Sequence, residues 1–188
     1  MKRIKLCDRL LPDYTVAEEI LNTITHGIGV VFGLVCLVLC ATKTGLGKDA
    51  LALTGALLYS ISMIAVYATS AVYHATPPGM AKKVLQVLDH CTIYTLIAGT
   101  YSPITLSAFV PDHPALGWGL FAFQWITAAV CIVLNAIDLQ MFKVISMVAY
   151  ILMGWSIIFF TPQAMQIISE EGFLLLLMGG ISYTLGAI

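Results

Sequence analysis

The residues of this chain that could do chemistry are four ionisable side chains in or beside long apolar stretches: His26, His74, Asp89 and His90. Ionisable groups in such stretches are costly to bury among lipid tails and are usually functional. Histidine nitrogen and carboxylate oxygen are donors that zinc accepts, and a catalytic zinc site keeps one position for water. The residue types therefore suggest a metal site or a proton-transfer site.

Helical spacing places further polar groups beside two of these histidines. Asn22 lies four residues before His26, and Ser70 lies four residues before His74, so each pair shares one helix face. In one catalytic arrangement, His74 is the zinc ligand, Asp89 holds the water as general base, and Ser70 stands behind them.

A second group of polar residues follows on the same helix as Asp89. Asp89 and His90 are adjacent and therefore point about 100° apart on a helix, so both cannot face one target. Tyr94 and Tyr101 continue a polar stripe from His90, and the last apolar stretch also carries polar groups in the half near this end. The possible site-lining residues are Asn22, His26, His90, Tyr94, Tyr101, Ser182 and Tyr183.

The composition indicates that these residues lie in a protein made mostly of membrane-spanning segments. Of 188 residues, 60% are hydrophobic and only 10% are charged, against about 25% charged in an average soluble domain. The net charge is −1, so no basic patch suggests a nucleic-acid partner. A membrane helix needs about 20 apolar residues, which leaves room for six or seven spans and excludes a sizeable domain outside the membrane.

Six continuous apolar stretches predict an all-α, polytopic transmembrane helix bundle rather than a β-barrel, whose strands would alternate. Residues 1–23 are predicted to form a cytoplasmic N-terminal segment with a short interfacial helix at 14–22. Residues 24–188 are predicted to form the transmembrane domain. Its spans are predicted at about 24–42, 50–73, 84–109, 115–134, 144–161 and 172–188.

Lysine and arginine predict the orientation of these spans. Seven lie in the N-terminal segment, the second loop and the fourth loop, whereas only Lys43 and Lys48 lie on the other side. The N-terminus is therefore predicted to be cytoplasmic. His26, His74, Asp89 and His90 then share the cytoplasmic leaflet, which favours a joint site. For each residue alone, a cap or a headgroup contact at a helix end is the plainer interpretation.

Four sequence segments resemble the bacterial hemolysin III family, within the progestin and adiponectin receptor superfamily. They are E-E-I-L-N-T-I-T-H-G (18–27), S-A-V-Y-H (70–74), D-H-C-T-I-Y-T-L-I-A-G-T-Y-S-P (89–103) and G-G-I-S-Y-T-L-G (179–186). The resemblance implies seven helices, a cytoplasmic N-terminus and a zinc ion near the cytoplasmic face. It makes His74 a zinc ligand, Asp89 the residue that holds the zinc-bound water, and Ser70 the motif serine. The roles of Asn22, His26 and His90 stay open.

The resemblance also implies two further zinc ligands, in an H-x-x-x-H motif on a seventh helix. This chain carries neither, and it stops at Ile188 inside its sixth apolar stretch. We therefore expect the sequence to be truncated and its zinc site to be incomplete, because catalytic zinc uses three protein ligands.

Three functions remain open on the sequence. The first is a zinc-dependent hydrolase of lipid amides in the bacterial plasma membrane, working in membrane lipid homeostasis. The second is a non-enzymatic sensor of membrane lipids, and the third is a cytolytic or pore-forming protein. Membrane lipids are the expected partners, and the oligomeric state is open.

Overall fold

Six helices account for most of residues 4–47 and 49–187, which are the part of the chain that the computed structural model describes. They run α1 (Val16–Leu46), α2 (Ala50–Ala75), α3 (Met80–Asp112), α4 (Pro114–Ile137), α5 (Lys143–Ile167) and α6 (Glu170–Ala187). These described residues contain no β-strand. The first five helices are long and apolar enough to cross a membrane. The prediction of an all-α polytopic bundle is confirmed.

The first helix differs from the prediction at its start. A capping box begins it: the Glu18 amide donates to the Thr15 hydroxyl, and the Thr15 amide donates to the Glu18 carboxylate. From there α1 runs unbroken to Leu46, so residues 14–22 do not form a separate interfacial helix. No proline interrupts it, and its 31 residues span about 46 Å, more than the roughly 30 Å of a bilayer core. Its first turns can therefore carry charge beyond the lipid tails.

Two helices change geometry midway. In α3, Pro103 is followed by a π-helical turn over Ile104–Phe109, and in α5 a 3₁₀ turn covers Ser156–Phe160. The hydroxyl of Tyr101 joins the two irregular regions, because it donates to the Gly154 carbonyl at 2.7 Å and accepts from the Ile157 amide at 3.1 Å. The fifth helix also runs to Ile167, past the predicted end at 161.

The main hydrophobic core lies among α3, α4 and α5, where Tyr94, Phe109 and Met153 are fully buried. Helix α1 stands outside this core and packs along α2. Gly29 and Gly33 make that approach possible, since an added Cβ would lie 2.6 Å from the Tyr67 ring at the first position and 2.9 Å from Ile64 at the second.

The N-terminal segment is fastened across one end of the bundle. The Ile4 amide donates to Asp138 Oδ2 at 2.8 Å, and the Arg9 guanidinium donates to the Ile137 carbonyl at 2.7 Å. Lys83, at the start of α3, donates to the Cys7 carbonyl. Basic residues from the segment and the second loop thus lie at the same end of the bundle. Whether this end of the bundle faces the cytoplasm stays a prediction.

Candidate functional site

Two of the predicted histidines meet where the start of α1 lies beside the end of α2. The rings of His26 and His74 are nearly parallel, with 13° between their planes and 5.8 Å between their centroids. His74 is buried, with 8% of its surface exposed, whereas His26 is partly exposed. Tyr14 and Tyr73 also pack against the His74 ring. The two histidines therefore belong to one cluster.

Glu19 is the charged centre of this cluster. Its Oε2 atom lies 2.7 Å from His74 Nδ1, and its Oε1 atom lies 2.7 Å from Lys82 Nζ. The carboxylate therefore joins three helices, since Glu19 lies on α1, His74 on α2 and Lys82 on α3.

Lys82 is buried to an unusual degree for a lysine, with 3% of its surface exposed. Its ammonium donates to the Thr76 carbonyl at 2.9 Å and more weakly to the His74 carbonyl at 3.5 Å. It also lies 5.0 Å from the centre of the Tyr73 ring, within the range of a cation–π contact. The buried charge is thus compensated by a carboxylate, two carbonyls and an aromatic face.

Sequence reasoning missed Glu19 and Lys82 as site residues. One signal could have found Glu19, because Glu19, Asn22 and His26 lie at positions i, i+3 and i+7 of α1 and so share one helix face. No spacing within a single helix points to Lys82, since its partner comes from another helix.

Part of the cluster lines a cleft of about 450 Å³, whereas His26 and Tyr73 are not among the lining residues. Its walls are mostly apolar, and Val16, Ile20 and Ile24 stand exposed at the α1 side. Glu19, His74, Lys82 and the phenol of Tyr14 supply its charged or ionisable lining. A cleft with apolar walls beside a charged cluster suits a molecule that has both a polar group and a hydrocarbon part.

Ser70 is placed differently from the catalytic arrangement considered for the sequence. Its hydroxyl lies 3.3 Å from His26 Nδ1, and no hydrogen bond joins it to His74 within the described residues. The S-x-x-x-H spacing does put both residues on α2, yet the serine hydroxyl pairs with the other histidine.

Asp89 and His90 lie about three turns into α3, which begins at Met80, and both are partly buried. His90 Nδ1 lies 2.8 Å from the Gln86 carbonyl one turn earlier on its own helix. The Asp89 carboxylate has no hydrogen bond or ion pair with any residue in 4–47 or 49–187. Neither side chain lines the cleft.

The two tyrosines of the predicted stripe support the helix core instead of the cleft. Tyr94 stacks on Tyr150 at 4.4 Å and accepts from Asn135 Nδ2 at 3.4 Å. Tyr101 makes the bridge to α5 described above. They lie on α3 as the spacing predicted, but they face α4 and α5 while the cleft lies between α1 and α2.

The remaining candidates are also outside the cleft. On α6, Ser182 is exposed and Tyr183 packs against the core of α3, α4 and α5. Asn22 is partly buried on α1, and its side chain has no hydrogen-bond partner within the described part of the chain.

His74, with its contact to Glu19, fits one ligand position of a zinc site. A ligating histidine commonly gives its second ring nitrogen to a carboxylate, and the contact between His74 and Glu19 has this form. However, residues 4–47 and 49–187 contain no group of three His, Cys, Asp or Glu that could hold a metal ion. The described residues therefore provide one oriented candidate ligand and not a complete catalytic set.

Comparison with known proteins identifies the family. The profile described as Haemolysin-III related matches residues 14–188. The chain is 36% identical to the Hemolysin-3 homolog of Bacillus subtilis (strain 168) over 178 residues, which cover 93% of this chain and 81% of that protein. It is 38% identical to Hemolysin-3 of Bacillus cereus over 176 residues, or 92% of this chain and 78% of that protein.

No solved structure matches the chain. The profile covers nearly the whole sequence, including all four segments that carried the resemblance. The described residues also form five helices that are long and apolar enough to cross a membrane. This multi-pass membrane protein belongs to the hemolysin III family.

Proposed function

We propose that this protein works in membrane lipid homeostasis as a zinc-dependent hydrolase of lipid amides. Its site would be the cleft between α1 and α2, in the cytoplasmic leaflet of the bacterial plasma membrane. The observation that carries the proposal is the contact between Glu19 Oε2 and His74 Nδ1 beside a cleft with largely apolar walls. Such a cleft can hold a lipid amide, because the amide needs polar partners and its acyl chain needs apolar surface.

Each residue has a stated role in this proposal. His74 would be a zinc ligand. Asp89, which lies on α3 outside the cleft lining, would have to reach the attacking water to hold it and take its proton. Zinc, when bound, activates water and polarises the carbonyl of the bond to be broken. Ser70 would act indirectly, because its hydroxyl pairs with His26, whose ring stacks on His74. Membrane lipids would be the substrates.

The test uses the full-length protein in lipid nanodiscs, analysed for bound zinc and for release of fatty acid from an N-acyl sphingoid lipid. We expect zinc to copurify and hydrolysis to stop in His74→Ala. His113→Ala is the matched control, because His113 follows α3 at the opposite end of the bundle. Protein that holds no zinc, or hydrolysis that survives His74→Ala, would contradict the proposal.

A non-enzymatic lipid sensor is the second candidate. It is favoured by the ion pairs of the cluster, since the Glu19 carboxylate at the cleft already contacts both His74 and Lys82. In a sensor, lipids that enter the cleft would shift the packing of α1 on α2. Lipid-dependent thermal stability without turnover would support this function over hydrolysis.

Cytolysis is suggested by the names of the two Bacillus relatives. The polar groups inside this bundle argue against a water-filled pore. Gln124 donates to the Met153 carbonyl and to Ser156, and Trp125 donates to Ser102, so these groups tie helices together. Conductance by purified protein in planar bilayers would revive the pore hypothesis.

A further inference from the structure

We propose that Glu19 is the positioning residue of His74. Held in place by Lys82, its carboxylate accepts a hydrogen bond from the Nδ1–H group of His74, so that the free electron pair of the imidazole lies on Nε2. The consequence for zinc affinity rests on the function proposed above. The position of the proton on Nδ1 of the imidazole does not rest on that function.

The first support is that both carboxylate oxygens of Glu19 are engaged by different helices. Oε2 meets His74 Nδ1 on α2, and Oε1 meets Lys82 Nζ on α3, each at 2.7 Å. With both oxygens held, the carboxylate cannot rotate without losing one partner. The contact on His74 is therefore fixed by a second, independent contact.

The second support is that Lys82 is itself held in place. Lys82 donates to the Thr76 carbonyl, two residues after His74 and just beyond the end of α2. The lysine thus ties the Glu19 carboxylate to the same helix end that carries the imidazole. Because Lys82 is almost fully buried, moving it would leave an uncompensated charge.

The protonation of the imidazole nitrogen follows from the chemistry of the partner. An ionised carboxylate has only acceptor atoms, so the ring nitrogen that meets it must carry the hydrogen. In the neutral ring the other nitrogen, Nε2, then has a free electron pair. A hydrogen bond to one ring nitrogen in this way sets which nitrogen can bind a metal.

The chain supplies a matched control at the preceding position. Glu18 has the same side chain but belongs to the capping box of Thr15, and it is exposed. A change from Glu to Gln at position 18 keeps an acceptor for the cap. The same change at position 19 leaves one carbonyl oxygen where two acceptors are required, so either Lys82 or His74 faces an amide NH₂ group.

The deciding experiment is ¹⁵N NMR of histidine-labelled, zinc-free, full-length protein in nanodiscs at alkaline pH, where imidazoles are neutral. The His74 signals are assigned by their loss in His74→Ala. We expect wild type and Glu18→Gln to carry the proton on Nδ1, and Glu19→Gln to shift toward the form protonated on Nε2. A wild-type His74 protonated on Nε2, or a pattern that Glu19→Gln leaves unchanged, would overturn the inference.

Zinc affinity, measured by competition with a chromophoric chelator, tests the consequence. Glu19→Gln should bind zinc about 10- to 100-fold more weakly, the usual effect of losing such a partner, and Glu18→Gln should match wild type. In the His74→Ala background, Glu19→Gln should have no further effect. If His74→Ala lowers zinc affinity and Glu19→Gln does not, the inference fails and the proposed function survives.

If wild type binds no zinc, the proposed function fails, and the NMR result alone decides the inference. Thermal unfolding of each variant separates positioning from folding. A purely structural Glu19 would lower the unfolding temperature in Glu19→Gln without moving the imidazole proton, which would also count against the inference.

Discussion

Glu19 Oε2 lies 2.7 Å from His74 Nδ1, although the two residues are 55 positions apart in the chain. The contact joins the start of α1 to the end of α2, at the position where an interfacial helix had been predicted instead. Because α1 is continuous from Val16, Glu19 is carried on a rigid helix that packs along α2. The continuity of that helix is therefore what holds a carboxylate beside the candidate zinc ligand.

Loss of the Lys82 ammonium should destabilise the protein strongly. Lys82→Met leaves the Glu19 carboxylate without its cation in a partly buried place, and removal of one partner of a buried ion pair costs about 3–5 kcal/mol. Thermal unfolding in detergent should show a clear fall in midpoint. Lys83→Met is the control, because that partly exposed side chain has one hydrogen bond among residues 4–47 and 49–187, to the Cys7 carbonyl, and should cost less than about 1 kcal/mol. Equal midpoints for the two variants would contradict the ion-pair argument.

A methyl group on the inner face of α1 should separate that helix from α2. In Gly29→Ala, the new Cβ would lie within 2.6–2.9 Å of the Tyr67 ring, so the ring or the helix must move. Gly27→Ala places its methyl in open space and should be neutral or stabilising by up to about 1 kcal/mol, as alanine favours helix. Unfolding midpoints of the two variants check this, and a Gly29→Ala protein as stable as Gly27→Ala would refute the close approach.

Docking of the N-terminal segment should depend on the charge of Asp138. The Ile4 amide, with those of Met141 and Gln140 and the charge of Arg9, holds the pKa of Asp138 below its usual range, although burial opposes this. A lowered pKa stabilises the docked form at every pH above the unfolded value of about 3.9 and loses that effect as the pH falls through the lowered pKa.

Hydrogen exchange of residues 4–9 should therefore be unchanged between neutral pH and about pH 5, after correction for intrinsic rates, and should increase only in stronger acid. Asp138→Asn should increase it at neutral pH. Asp112→Asn, an exposed aspartate at the other end of the bundle, should not. Release of the segment near neutral pH in wild type would show that Asp138 does not control docking.

The predicted orientation can be checked at Cys7, which is exposed in the N-terminal segment. A membrane-impermeant maleimide should label Cys7 in inverted membrane vesicles but not in intact spheroplasts, because the basic end is predicted to face the cytoplasm. Cys7→Ser removes the signal and provides the background from the other cysteines. Labelling in spheroplasts alone would place the N-terminus outside.

Much of the architecture could be predicted from apolar stretches, because a helix that crosses a membrane must be continuous and long. The start of α1 was missed for a local reason. The charges of Glu18 and Glu19 suggest a separate surface segment, but the capping box begins the helix at Thr15 and nothing breaks it afterwards. The extension of α5 was missed because its 3₁₀ turn, supported by Tyr101 of another helix, lets the chain continue past Phe160.

By itself, the sequence determined the all-helical membrane bundle, the hemolysin III family, and the grouping of histidines toward one end. These follow from composition, from the length of apolar stretches and from short motifs, all of which are properties of neighbouring residues. Only the tertiary structure decided which side chains meet. The pairing of Glu19 with His74 and Lys82, of Ser70 with His26, and the turning of Tyr94 and Tyr101 away from the cleft depend on how helices rotate and pack. That rotation is set by contacts such as Gly29 against Tyr67, between residues far apart in the chain.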